Sequence, residues 1–194
     1  YRLLASRGKL QEALDVYREA LRLRPDNAYV HNRLAWLFAT SVDAQARRSE
    51  EAIIHAAKAV ELAPGNGYFW ITLGVARYRN GEWSEAISAL ETSVELSSGG
   101  AAYDWLFLAM AHWQLGNKEE ARRHYDQSVE WIEKNQPANQ ELERFHAEAG
   151  ELLGVAEKEE QTGTPGASDK REKPPTEGIE EKDIGDVKQD ENEK

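Results

Sequence analysis

The sequence predicts an all-α protein, a solenoid of antiparallel helix pairs with a C-terminal capping helix and a disordered acidic tail. The main observation is a column of alanines that recurs at spacings of 39, 34 and 35 residues. Two further columns, four and seven residues later, keep the same spacings. A period of this length is the signature of stacked repeats. The first column consists of Ala13, Ala52, Ala86 and Ala121.

The stretch Trp70–Leu96 predicts the basic unit, which is two helices joined by a tight turn at Asn80-Gly81. Small residues, Gly74 on the first helix and Ala86 on the second, lie where we expect the two helices to touch. A turn glycine stands five residues before three of the alanines, and these glycines are Gly8, Gly81 and Gly116.

Residues 1–7 are predicted to be the second half of a truncated helix, so we expect the chain to be a fragment of a longer protein. Leu10–Leu23 has apolar residues at helical spacing and stops at Pro25. Asp26-Asn27 can cap the next predicted helix, Ala28–Thr40.

The loop Ser41–Arg48 accounts for the longer first spacing. Ser49 is the predicted N-cap of the helix Glu50–Leu62, which has acidic residues in its first turn. Breaks rich in Gly, Pro, Asn and Ser separate the helices that follow, which are predicted at Gly67–Arg79, Glu82–Leu96, Ala101–Leu115 and Lys118–Lys134.

The last predicted helix, Gln140–Leu153, is single and amphipathic, and a solitary helix usually covers the exposed end of a stacked array. Ala156–Lys194 has few aliphatic and no aromatic residues, so it cannot offset its ordering entropy and should be disordered. The predicted organisation is a partial first repeat (1–27), a second repeat (28–66, insertion 41–48), a third (67–100), a fourth (101–137), a capping helix (138–155) and an acidic tail (156–194).

Charge limits the partners that we expect. The chain carries 24 Lys and Arg against 35 Asp and Glu, a formal net charge of -11. A basic surface is what binds nucleic acid and anionic membranes, so we expect neither partner. The longest apolar run is shorter than the about 20 residues that cross a bilayer, and we expect a cytoplasmic location.

We predict no catalytic residue, metal site, cofactor or small-molecule substrate. The chain has no cysteine, no His-Glu-x-x-His run and no Gly-x-x-x-x-Gly-Lys loop for phosphate. Glu143 and His146 form an i, i+3 pair, but a di-iron site needs two such pairs and two further glutamates. The residue chemistry therefore favours a binding module over an enzyme.

The repeat residues resemble the tetratricopeptide repeat, whose Trp, Leu-Gly, Tyr, Ala and Pro positions recur every 34 residues. His31 replaces the family tryptophan in the second repeat, and Ala35 and Ala109 replace its glycine. The resemblance covers about residues 1–134 and implies a right-handed superhelix. The matching positions are Pro64, Trp70, Leu73, Gly74, Tyr78, Gly81, Ala86 and Leu90.

The segments KAVELAPGN, LGVARYRNGEW and FLAMAHWQLG are also similar to C-terminal repeat arrays of large bacterial multidomain proteins. Some of those proteins carry serine/threonine kinase domains. This similarity implies a second possible function, as the regulatory or substrate-recruiting C-terminal region of a larger bacterial enzyme. Self-association of the chain is a third possibility.

The family resemblance implies that the first helix of each pair lines a concave groove that binds a protein or peptide partner. The implied groove is aromatic and mostly neutral, although some of its side chains could instead pack between neighbouring helices. A clamp for a C-terminal carboxylate is not expected, because only Asn32 and Arg79 match its residue types, and Ile71 and Leu106 stand where polar clamp residues would be expected. The groove positions are Tyr29, Asn32, Trp36 and Thr40, then Tyr68, Ile71, Val75, Tyr78 and Arg79, then Tyr103, Leu106, Met110, Trp113 and Gln114.

Overall fold

The structure is a computed structural model, and it describes residues 2–41, 47–97, 99–135 and 138–155. The predicted tail and residues 42–46 of the predicted insertion lie outside the described residues. Within those ranges the chain forms eight α-helices, which are α1 (Arg2–Leu23), α2 (Ala28–Thr40), α3 (Ser49–Leu62), α4 (Gly67–Arg79), α5 (Trp83–Leu96), α6 (Ala102–Gln114), α7 (Lys118–Asn135) and α8 (Gln140–Leu153).

The predicted helix pairs are confirmed. Helices α2, α4 and α8 begin and end at the predicted residues, α3, α5 and α7 differ from prediction by one residue at one end, and α6 is one residue shorter at each end. Local capping explains the precision, because the Asn27 side chain accepts a hydrogen bond from the backbone N–H of Val30. Asn66 does the same for Tyr68 at the start of α4.

The predicted turn at Gly8 is wrong, because α1 runs without a break from Arg2 to Leu23. Gly81 and Gly116, by contrast, adopt φ values of 81° and 82°, the left-handed region that favours glycine. Those two glycines turn the chain back onto a preceding helix, whereas no described helix precedes α1. A continued helix satisfies the backbone hydrogen bonds there, at a cost of about 1 kcal/mol for a glycine in its interior.

The predicted capping role of Ser49 is also wrong, because Ser49 is the first residue of α3 and Arg48 stands at the N-cap without a side-chain bond. The Ser49 hydroxyl instead donates a hydrogen bond of 2.8 Å to the Asn80 side chain at the end of α4. A tertiary contact with the next pair therefore replaces the local cap.

Close packing at small residues joins the two helices of each pair. A Cβ atom added at Gly74 of α4 would lie 2.5 Å from Leu90 Cγ and 3.2 Å from the Ala86 carbonyl oxygen of α5. The equivalent positions Ala35 and Ala56 are both fully buried. Backbones approach this closely only where a side chain is small or absent, so the alanine columns mark the contact lines between paired helices.

The pairs α2–α3, α4–α5 and α6–α7 stack in chain order, and their first helices α2, α4 and α6 lie side by side. The same kind of hydrogen bond holds the start of α2 and of α4: the Trp70 Nε1–H donates to the Pro64 carbonyl, and His31 Nε2 lies 2.8 Å from the Pro25 carbonyl. A carbonyl only accepts, so His31 Nε2 carries the proton and reproduces the indole bond. The substitution of the family tryptophan by His31 is therefore accommodated.

Replacing Gly74 with valine should lower the free energy of unfolding by about 1–3 kcal/mol, because the added side chain overlaps Leu90 and the α5 backbone. Urea denaturation followed by circular dichroism measures the effect. Gly65→Val is the control, because nothing lies within 4 Å of the added Cβ there. Equal unfolding midpoints for the two variants would contradict the close-contact assignment.

Stability should fall as the pH drops from 7 to 5, because three half-buried histidines resist protonation in the folded chain. Burial lowers the pKa of His55, His112 and His124 from its ordinary value. The unfolded chain takes up these protons near its pKa of about 6.5, so the folded state is favoured above that pH and disfavoured as the pH falls through it.

Urea denaturation at several pH values checks this expectation, and the variant His124→Gln should show a smaller loss. Burial raises the pKa of Asp104, which acts in the opposite direction because the folded chain binds that proton first. A stability that stays constant or rises from pH 7 to pH 5 would show that the histidines do not carry the effect.

Candidate functional site

Helix α8 lies across the first helices of all three pairs, and its side chains contact α2, α4 and α6. At its start, the Glu141 carboxylate accepts a hydrogen bond from Trp36 Nε1 at 3.2 Å and lies 3.4 Å from the Thr40 hydroxyl, which donates to the Trp36 carbonyl at 2.8 Å. Arg144 Nη2 donates to the Thr40 carbonyl at 2.9 Å. We call the residues of α2, α4 and α6 that contact α8 the inner surface, and they are Trp36, Thr40, Arg79, Tyr103 and Phe107.

An ion pair between Arg79 and Glu148 joins α8 to α4. Both guanidinium Nη atoms donate to the carboxylate, and the Nη2–Oε2 distance is 2.7 Å. The Arg79 side chain is 7% exposed and the Glu148 side chain 33%. The guanidinium also lies over the rings of Tyr78, Phe107 and Phe145, 5.3–5.8 Å from each centroid, where cation–π attraction favours it.

The pKa of Glu148 is lowered by this environment. Burial alone would raise it, but the hydrogen bonds from Arg79 and the positive charges of Arg79, Arg47 and Arg144 outweigh that effect. The ionised carboxylate therefore stabilises the folded chain above its ordinary pKa of about 4.5, and the contribution is lost as the pH falls through the lower folded value.

Phe145 is the apolar centre of the contact and is 1% exposed. Its ring packs edge to face with Trp36, Tyr103 and Phe107, at centroid distances of 6.3, 6.0 and 5.1 Å. Edge-to-face geometry is the favoured arrangement for aromatic pairs. Three aromatic side chains from two helices thus form one pocket for a single ring of α8.

The other side of α8 packs against α6 and α7. The Tyr125 hydroxyl and His146 Nε2 lie 3.0 Å apart, and the two rings stack. Leu142, Ala149 and Leu153 are buried on this side. Helix α8 thus covers the end of the array, as predicted for a cap, and in addition it covers the inner surface, which the sequence analysis did not anticipate.

The predicted groove positions fall into four groups. Trp36, Arg79 and Tyr103 contact α8, while Asn32, Tyr78 and Trp113 are half-buried. Tyr29 and Tyr68 are 69% and 74% exposed. Four apolar positions are buried in the core, in keeping with the alternative that some groove side chains pack between neighbouring helices; these are Ile71, Val75, Leu106 and Met110.

The three tyrosines expected to form one column differ in environment. Tyr29 makes an edge contact with Phe69 at 5.3 Å, and the exposed Tyr68 lies beside the loop between α3 and α4. Tyr103 instead packs against Trp36, with its hydroxyl accepting a hydrogen bond of 2.9 Å from the Asn139 side chain. The peptide-binding role of these positions stays a prediction.

Several residues of the site escaped the sequence analysis, namely Phe107, Arg47 and the α8 residues Glu141 and Glu148. One signal was available: Glu141, Phe145 and Glu148 stand at i, i+4 and i+7 and therefore lie on one stripe of a helix. Arg47 had no comparable signal in the sequence, because its position depends on the path of the chain between α2 and α3. Burial and the positive charge of the nearby Arg79 lower the pKa of Arg47.

The part of the chain that the structure describes contains no group of three or more His, Asp or Glu side chains placed to hold a metal ion. Among its helices, none combines the length and apolar character needed to cross a membrane. The contacts that form the site are aromatic packing and charged hydrogen bonds between helices.

A stack of helix pairs with a helix held across it defines a repeat scaffold, and the comparison with known families agrees. A model described as TPR repeat matches residues 2–40, and one described as tetratricopeptide repeat matches residues 71–139. The chain belongs to the tetratricopeptide repeat family, whose members generally bind protein partners. The chain is accordingly a protein-interaction scaffold. No curated protein matches the sequence.

Solved structures share the fold. A crystal structure of MamA is 20% identical, with a TM-score of 0.58 over 81% of this chain and 92% of that one. A thermophilic TPR protein from Thermus thermophilus is 18% identical, with a TM-score of 0.56 over 76% of each chain. The first TPR domain of human RPAP3 is 21% identical, with a TM-score of 0.50 over 68% of this chain and 95% of that one. These identities show the fold alone.

Replacing Glu148 with alanine should lower the free energy of unfolding by about 2–3 kcal/mol, because it leaves the buried Arg79 guanidinium without its counter-charge. Chemical denaturation provides the measurement. Glu151→Ala is the matched control, since Glu151 is an exposed carboxylate on the same helix. If both variants unfold at the same denaturant concentration, the ion pair does not hold α8 in place.

Proposed function

We propose that the chain is an interaction scaffold that binds a helical segment of a partner protein on its inner surface. The observation that supports this function is that the inner surface already accommodates a helix, α8, through side chains of three successive first helices. A surface that binds an amphipathic helix in cis has the shape and chemistry to bind one in trans, which is a common mode of peptide recognition.

The residue types of the inner surface support the same function. Trp36 and Tyr103 are of the kinds that contribute most to binding energy at protein interfaces, and Arg79 adds a charged anchor within an aromatic setting. Specificity would come from the hydrogen bonds of the charged groups, and affinity from the rings. We propose that the predicted peptide groove comprises these residues together with the exposed Tyr29 and Tyr68.

Tyr29 and Tyr68 extend the proposed site beyond the area that α8 covers. They stand two residues into α2 and α4, next to the loops that precede those helices. Exposed tyrosines supply contact area at a low cost in conformational entropy.

A second function that we propose is that of a regulatory or substrate-recruiting C-terminal region in a larger bacterial enzyme, such as a serine/threonine protein kinase. Its support is the similarity of the segments KAVELAPGN and LGVARYRNGEW to such arrays. The coding sequence upstream of Tyr1 tests it. A kinase-type glycine-rich loop and catalytic aspartate motif there would support this function, and their absence would remove it.

A fluorescent peptide of residues 138–155 should bind saturably to the full chain carrying Phe145→Ala, because this variant loosens the chain's own α8. We expect its affinity to be at least tenfold higher for that variant than for the unchanged chain, where α8 occupies the surface. Fluorescence anisotropy measures the binding, and a scrambled peptide of the same composition is the control.

Circular dichroism verifies that the Phe145→Ala chain retains its helices, and Glu148→Gln offers a milder way to loosen α8 if it does not. Failure of the peptide to bind either variant up to millimolar concentration would overturn the assignment of the inner surface as a helix-binding site.

A further inference from the structure

Three side chains of α8 each have their own site on the inner surface. Glu141 contacts the Trp36 indole N–H and the Thr40 hydroxyl, Phe145 enters the aromatic pocket, and Glu148 pairs with Arg79. Each residue advances a helix by 100°, so positions i, i+4 and i+7 fall within about 60° of one another. One stripe of α8 thus carries an acid, an aromatic ring and a second acid in fixed register.

We propose that the partner of this scaffold presents an amphipathic helix with a carboxylate, an aromatic ring and a carboxylate at positions i, i+4 and i+7, and that α8 is a built-in competitor for that helix. The proposal rests on the proposed function, and it adds the chemistry and register of the ligand and the means of its control. The stripe formed by Glu141, Phe145 and Glu148 serves as its template.

The charges around Arg79 favour an acidic partner, although the whole chain has a net charge of -11. Arg47 and Arg79 lie close enough that Arg79 lowers the pKa of Arg47, and Glu148 raises it. When α8 leaves, these two guanidinium groups lose the carboxylate of Glu148, which accepts hydrogen bonds from Arg79. A carboxylate at the corresponding position of a partner restores that balance, whereas a basic or neutral helix does not.

The register is fixed by two polar sites that differ in kind. At one end the donor is neutral, the Trp36 indole N–H; at the other end the donor is the charged guanidinium of Arg79. The indole N–H of Trp36 and the guanidinium of Arg79 can donate hydrogen bonds but cannot accept them, so each polar site requires an acceptor on the bound helix. A helix shifted by one residue would rotate both acids away by 100° and leave the donors unpaired.

Competition by α8 follows from its attachment to α7 through the short stretch 136–139. A tethered segment acts at a high effective concentration, in the millimolar range for short linkers, so a separate helix has to bind tightly or arrive when α8 is loosened. The apparent affinity for the partner is then the intrinsic affinity multiplied by the fraction of chains whose inner surface is open.

A double-mutant cycle tests the stripe. The unchanged 138–155 peptide and its Glu148→Gln form are titrated into the Phe145→Ala chain with Arg79 or with Arg79→Gln. Each single change should weaken binding at least tenfold, and the combination should weaken it no more than about threefold further, because both changes remove one interaction. The control peptide Glu151→Gln, altered at an exposed position of α8, should bind within twofold of the unchanged peptide.

The outcomes separate the two proposals. If the unchanged peptide binds but Glu148→Gln binds equally well, the acid–aromatic–acid pattern is overturned and the helix-binding function stands. If no peptide binds, the function itself fails. Light scattering would detect a dimer of the Phe145→Ala chain. If such a dimer forms and the peptide blocks its formation, the inner surface binds a second copy of the chain, and the proposal of a separate partner is overturned. The Glu148→Gln comparison alters only the peptide, so it stays informative if Arg79→Gln does not fold.

Discussion

The close approach of paired helices is the constraint on which the rest of the structure depends. At Gly74 the neighbouring Leu90 leaves no room for a side chain, and at the equivalent Ala35 the opposite column carries the small Ala56. Helix pairs packed this closely stack in chain order, and the stacking places α2, α4 and α6 side by side. The inner surface exists because three first helices are aligned in this way.

Most of the fold could be predicted from the sequence, because small residues at a fixed period and asparagine caps are local signals. Asp26-Asn27 was predicted to cap α2, and Asn27 does accept a backbone hydrogen bond at its start. Asn66 and Asn139 accept such bonds at the starts of α4 and α8, although neither was predicted as a cap. Gly8 shows where such signals fail. The same residue type turns the chain at Gly81 but lies inside α1 at Gly8, so a glycine in register with the repeat does not by itself mark a turn.

The site was predictable only in part. The resemblance placed Trp36, Arg79 and Tyr103 on one side of the first helices, and all three contact α8. It gave no indication that Glu141 and Glu148 would meet them, because α8 has two contact faces and its sequence does not say which elements each face will reach. Ile71 and Leu106 were assigned to the groove with the alternative that such side chains pack between helices, and both are buried in the core. Tertiary packing decides both points, and local periodicity does not encode it.

A mechanical consequence follows from the hydrogen bonds between α8 and α2, which join residues 101–105 positions apart. Stacked repeats otherwise touch only their neighbours, so an array bends like a spring and can fray from either end. Helix α8 links the C-terminal end of the array to the first complete pair. While α8 is bound, the array should resist stretching and lose its helices in one cooperative step. When α8 is released, the curvature of the array can adjust to the bound partner.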